Sequence, residues 1–208
     1  MIQTLRALFL TNPCKEYMIT GAPQCAVDTG VMDEMIQGAK FDALWIQYYN
    51  TPACSARTWV KDNTAFNSTD GKTITAQLTY DSWVDRTSTG LSKDAKLYLG
   101  LLGSPGDAGS ALSSNDFLWP TEATNLIDTY VNHTRFGGVM IWEATGADEQ
   151  YVQSGASTLN YYDFVKSVLN QYAPKTTAPV VSLCPSTTSS SSSASKTSTT
   201  SYVYTSPS

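Results

Sequence analysis

Gln47, Tyr48, Tyr49 and Asn50 stand in a row at the end of an apolar run, FDALWIQYYN from Phe41 to Asn50. A phenol can donate or accept a hydrogen bond and an amide can do both, so such a row suits the hydroxyl and amide groups of an uncharged ligand. Strands buried on both faces read as near-continuous apolar stretches, and here the stretch stops where the polar side chains begin. In α/β proteins that boundary, the carboxyl end of a strand, is where chemistry is placed. Three further candidate strand ends carry related groups: Ala22-Pro23-Gln24, Gly103-Ser104-Pro105 and Trp142-Glu143. If these ends share a face, the amides and phenols can hold a sugar's polar groups while the Trp142 indole stacks on the C–H surface of its ring.

The elements that would position these groups follow from periodicity. Tyr17 to Ala22, Phe41 to Tyr49, Lys96 to Leu102 and Gly137 to Trp142 read as strands. Between and after them lie helical stripes: Met32, Met35, Ile36 and Ala39; Leu126, Ile127, Tyr130 and Val131; Phe164, Val165, Val168, Leu169 and Tyr172. A less regular helix is expected from about Ile74 to Val84, and Ile2, Leu5, Leu8 and Phe9 make an apolar helical face at the start of the chain. Strands separated by helices imply parallel βαβ units with right-handed crossovers, so the fold class is α/β.

Composition narrows the partners. The chain has 208 residues, 41% of them hydrophobic, and a net charge of -5. Without clusters of Lys and Arg it is not suited to nucleic acid or an anionic membrane, and an uncharged substrate fits better. No run approaches the roughly 18 apolar residues of a membrane span, and the apolar residues of the opening MIQTLRALFLTN are spaced as one face of a helix rather than as a signal peptide core. The sequons at Asn67 and Asn132, the 4 cysteines and the Ser/Thr-rich end nonetheless favour the secretory route, with an extracellular or wall location. From Ser186 to Ser201 every residue except Ala194 and Lys196 is Ser or Thr. Such a segment has too little apolar surface to offset its ordering entropy and reads as an O-glycosylated stalk.

Four segments together resemble glycoside hydrolase family 18, most closely its plant-type and fungal endochitinases. They are ITGAPQC (Ile19 to Cys25), FDALWIQYYNTPAC (Phe41 to Cys54), YLGLLGSPGDAGS (Tyr98 to Ser110) and FGGVMIWEATGAD (Phe136 to Asp148). The likeness runs from about Met1 to Tyr172 and follows the order of the last four strands of a (β/α)8 barrel. It implies a partial catalytic domain over residues 1–174, strands 5 to 8 of the barrel, followed by a stalk over 175–208. The activity implied is retaining endo-hydrolysis of β-1,4-linked N-acetylglucosamine polymers, in which the substrate's own acetamido oxygen is the nucleophile and no cofactor or metal takes part. On this resemblance Tyr49 is the catalytic tyrosine that orients the acetamido group. Gln47, Asn50 and Gln24 line the sugar subsite, and Trp142 forms its floor. Cys25 and Cys54 correspond to a family disulfide, whereas Cys14 and Cys184 are left without assigned partners and could pair if the chain ends meet.

The family's DxxDxDxE motif, whose Glu is the general acid, does not occur in the chain. The resemblance places it before Met1. Glu143 follows Trp142, and alternation turns its side chain away from the one Trp142 presents. Asp28, Asp107 and Asp148 read as solvated loop carboxylates. The chain is therefore expected to be a fragment that holds chitin or N-acetylglucosamine oligosaccharides without cutting them. A half barrel should also expose open strand edges, through which self-association is expected. The alternative is a non-catalytic glycan-binding wall protein.

Overall fold

The computed structural model describes residues 1–27, 32–70, 73–108 and 116–172. Four strands, β1 (Thr20–Gly21), β2 (Ala43–Gln47), β3 (Lys96–Leu102) and β4 (Phe136–Trp142), form one sheet in the order β1-β2-β3-β4, parallel throughout. The helices are α1 (Ile2–Phe9), α2 (Asp33–Gly38), α3 (Ala56–Asp62), α4 (Tyr80–Thr87), α5 (Pro120–Tyr130), α6 (Ala144–Glu149) and α7 (Tyr161–Asn170). A small antiparallel hairpin, β5 (Tyr151–Ser154) and β6 (Ser157–Asn160), precedes α7. Parallel neighbours joined through helices are the arrangement that the strand and helix periods imply.

The two sheet faces differ. Leu44, Ile46, Leu97, Leu99 and Leu101 are each at most 2% exposed. They share a core with Ile36, Trp59, Trp83, Leu126 and Phe164, which come from the surrounding helices. The register places Trp45, Tyr98 and Gly138 in one row of the other face and Gln47, Gly100 and Met140 in the next. On that face Trp45 is 39% and Trp142 53% exposed. Tyr98 meets Trp45 edge-on, with centroids 6.5 Å apart. Its ring also lies so close to β4 that a Cβ on Gly137 would fall 2.4 Å from it, beside a Gly138 with φ of +132°.

The amino-terminal rim is tied by polar contacts. Arg6 of α1 reaches Asp42 at 2.5 Å, and the same carboxylate accepts from Ile19 N–H at 2.7 Å. Buried Ser92 donates toward Ile36 and Ala39 carbonyls and accepts from Phe41 N–H. Arg135 donates to the carbonyls of Ala95, Val84 and Ser92 and to the Thr87 hydroxyl. Arg57 of α3 forks onto Glu122 of α5 at 2.6 and 2.9 Å.

The structure corrects several boundaries. The strand expected over Tyr17 to Ala22 is only Thr20–Gly21. Helix α4 spans Tyr80–Thr87 rather than starting near Ile74. The preceding segment is held instead by Asn63, 6% exposed, which accepts from Thr75 and Ala76 N–H and donates to the Trp59 and Ala76 carbonyls. Asp148 lies within α6 rather than in a loop, and accepts from Asn160. Asp28, Cys184 and the Ser/Thr-rich stretch lie outside the described residues.

Candidate functional site

The carboxyl rim of the sheet gathers the expected side chains, though not all in one role. Gln24 bridges Gln47 in parallel pairing, so the two amides share a row. Gln47 donates its side-chain N–H to Ala22 carbonyl at 2.8 Å, and its backbone N–H to Pro23 carbonyl at 2.8 Å. That bond fixes the amide and leaves its carbonyl oxygen to accept from a ligand. Alternation then splits the tyrosine pair. Tyr48 points into the helix-side core and is fully buried, and desolvation raises its hydroxyl well above the usual tyrosine range. It is a core residue, a distinction that type and position alone do not reveal.

Tyr49 keeps the parity of Trp45 and Gln47. Extending the β2–β3 and β3–β4 registers by one row sets it alongside Leu102 and Trp142. Two strand spacings separate its position from that of Trp142, roughly 10 Å. Tyr49 is 5% exposed, and burial pushes its pKa from 10.0 to about 12. Its hydroxyl therefore stays protonated and serves as a donor at neutral pH, with no partner among the described residues. Asn50 adopts φ of +61°, a left-handed conformation that asparagine tolerates. Its N–H donates to Asp116 at 2.8 Å, and its buried side-chain oxygen lacks a partner among the described residues.

Trp142 closes the rim on the β4 side, and the peptide joining it to Glu143 is cis. The Trp142 carbonyl accepts from Gly103 N–H at 2.6 Å. Glu143 caps α6, its carboxylate accepting from Gly146 N–H at 2.9 Å. Asp107 is not a bare loop carboxylate: its Oδ2 accepts from Ser104 N–H at 2.8 Å and Glu143 N–H at 3.2 Å. The fit is tight, since a Cβ on Gly146 would lie 2.3 Å from Asp107 Oδ2. Asp107 thus fastens the loop after β3 to the end of β4 beside Trp142. A Pro-Gly-Asp turn gave no sequence signal of that second contact.

Cys25 and Cys54 form a disulfide between the segments after β1 and β2, as the resemblance implied. The Cys25 carbonyl also accepts from the Thr79 hydroxyl at 2.8 Å and the Trp83 indole at 3.1 Å. Cys14 is disulfide-bonded as well. Asn67 and Asn132 are both exposed. Among the described residues no three His, Cys, Asp or Glu side chains converge as a metal would need, and no helix is long and apolar enough to cross a membrane.

A parallel βα protein with its polar groups gathered along one carboxyl rim is the class that these observations define. No family model matches the chain. It is 35% identical over 182 residues to Endochitinase A of Aspergillus niger, an alignment that covers 86% of this chain and 13% of that protein. With Endochitinase 2 of Coccidioides posadasii it shares 36% identity over 176 residues, 84% of this chain and 18% of the relative. The crystal structure of ICChI chitinase from Ipomoea carnea superposes with a TM-score of 0.50 at 22% identity, over 81% of this chain and 49% of that one, and shows the same α/β fold. This stretch of chain belongs to the glycoside hydrolase family 18 chitinases. It spans less than a fifth of the length of these two curated relatives.

Proposed function

We propose that the described residues form one wall of a chitin-binding cleft, the C-terminal half of a (β/α)8 barrel whose complete form hydrolyses β-1,4-N-acetylglucosamine linkages with retention. Tyr49 donates its phenolic proton to the acetamido carbonyl and holds that oxygen toward the anomeric carbon. Gln24, Gln47 and Asn50 bind the flanking polar groups, and Trp142 stacks beneath the ring. The supporting observation is a buried Tyr49 two residues beyond the end of β2, on the rim that also bears the exposed Trp142. The acid that protonates the leaving oxygen is not supplied by these 208 residues, which lack DxxDxDxE. Without it the chain binds but does not turn over, because general acid catalysis contributes about 10²- to 10⁴-fold. Missing that motif, the chain also fits a second reading, a non-catalytic chitin-binding protein of the cell wall or extracellular space.

Titration of the full chain with a chitooligosaccharide, followed by tryptophan emission, tests the cleft. Trp142→Ala and Tyr49→Phe should each weaken binding about tenfold, the loss of roughly 1.4 kcal/mol. Undiminished binding in both variants would sink the assignment. Release of reducing ends by the unaided chain would overturn the claim that the acid is missing. Supplying a chain that carries the family motif separates the two readings, since only a catalytic half regains turnover.

A further inference from the structure

A second cavity, lined by none of the rim residues named above, lies beside the start of α5. This cavity of about 290 Å³ opens between the 66–70 loop, the start of α5 and the β5–β6 turn, lined by Asn67, Thr121, Thr124, Ser154, Gly155 and Phe164 among others. That is the lower end of small-ligand pockets, the scale of a single ring. Its walls are hydroxyls and amides over the buried Phe164, the mix that a hexosamine recognises through its polar groups and its C–H face. The hydroxyls of Thr121, Thr124 and Ser154 have no intramolecular partner among the described residues, whereas Asn125 is occupied by Ser68 and Phe66. Gly155, at φ of +61°, leaves open space where a side chain would stand.

One wall residue is itself a point of sugar attachment. Asn67 is exposed and heads the sequon Asn67-Ser68-Thr69. Its side-chain oxygen accepts from Thr69 N–H at 3.1 Å and from the Thr69 hydroxyl at 2.9 Å. These bonds anchor the carbonyl side of the amide and leave Nδ2 unengaged among the described residues. Asn132, by contrast, is exposed in the turn after α5 and does not line this cavity.

We propose that Asn67 is N-glycosylated and that its first N-acetylglucosamine folds back into this groove, clasping the β5–β6 turn to the 66–70 loop. The donor is a lipid-linked diphospho-oligosaccharide. Asn67 Nδ2 forms a bond to C1 of the sugar, the C1–O bond to the diphosphate breaks, Nδ2 loses a proton and the lipid diphosphate departs. The proposal rests on the secretory part of the functional reading but not on the chitin cleft, whose binding is measured separately.

The full chain, sent through a yeast secretory pathway behind a supplied leader, gives the test. Glycopeptide mass spectrometry should find Asn67 occupied. Under native conditions a peptide-N-glycosidase should release that glycan about tenfold more slowly than from the T124V/S154A variant, in which two hydroxyls that hold the ring are removed. Thr121→Ala, at an exposed helix position, should shift release in the same direction and guards against a double variant that fails to fold. An unmodified Asn67 overturns the proposal. So do equal native release rates in the parent and both variants, which would mean a glycan that merely projects into solvent.

Discussion

The phenol of Tyr49 keeps its proton well into the alkaline range, because burial lifts its pKa from 10.0 to about 12. Tyr130 is raised to a similar value, and Tyr80 and Tyr161 are pushed up by the same desolvation. A raised folded-state pKa means that the native protein holds protons that the unfolded chain sheds. Stability is then insensitive to these groups below pH 10 and falls as the pH climbs toward about 12. In an alkaline titration, tyrosinate absorbance from these side chains and loss of circular dichroism should therefore appear together above pH 10 rather than in separate steps. Asp107 makes a different kind of contribution. Asp107→Ala leaves two backbone N–H groups, of Ser104 and Glu143, without their acceptor. The expected loss is about 1 kcal/mol in urea unfolding, with a shift in Trp142 emission that a surface substitution elsewhere would not produce.

At the scale of elements, the segment after β2 depends on cross-links rather than on propensity. The disulfide joins residues 29 apart, and a loop of that length corresponds to about 3–4 kcal/mol in the chain-entropy model. C25S/C54S should lose a comparable amount, read as a lower urea midpoint with the far-ultraviolet spectrum of the folded state retained. Asn63→Ala should cost about 2 kcal/mol or more, because both ends of a buried amide are engaged and its backbone partners are left without it. What the sequence made legible follows the same line. β3 and the α5 and α7 stripes carry periods strong enough to read, and Lys96–Leu102 matches the expected strand end to end. The 74–79 segment carried helix-like spacing, yet its backbone is organised by the side chain of Asn63, the residue that follows α3. The β5–β6 hairpin was invisible because its strands, YVQS and STLN, are mostly polar and carry no apolar alternation. At the rim, Gln47 and Tyr49 could be found from strand position, whereas the burial of Tyr48 and the double grip of Asp107 depend on how neighbouring chain segments meet.

At the scale of the whole molecule, the second face of the sheet carries exposed aromatic side chains. Parallel sheets are covered on both faces as a rule, and here Trp45 and Trp142 stand 39% and 53% exposed, although Tyr49 and Leu102 on the same face are buried. Sedimentation should therefore show concentration-dependent association. Trp45→Lys, placing a charge in the middle of that face, should shift the distribution toward monomer.

The two borders of the sheet are unequal, β1 contributing two residues and β4 seven. An incoming strand finds a long template at β4 and almost none at β1. Parallel pairing would also fix its direction, bringing the newcomer's carboxyl end to the rim that bears Trp142. On the proposed reading, a cleft completed in this way is a seam between chains, and fragment complementation becomes an expectation of that proposal. Two pieces, each silent alone, should recover a single function on mixing, and the recovery should fail first when the β4 border is blocked.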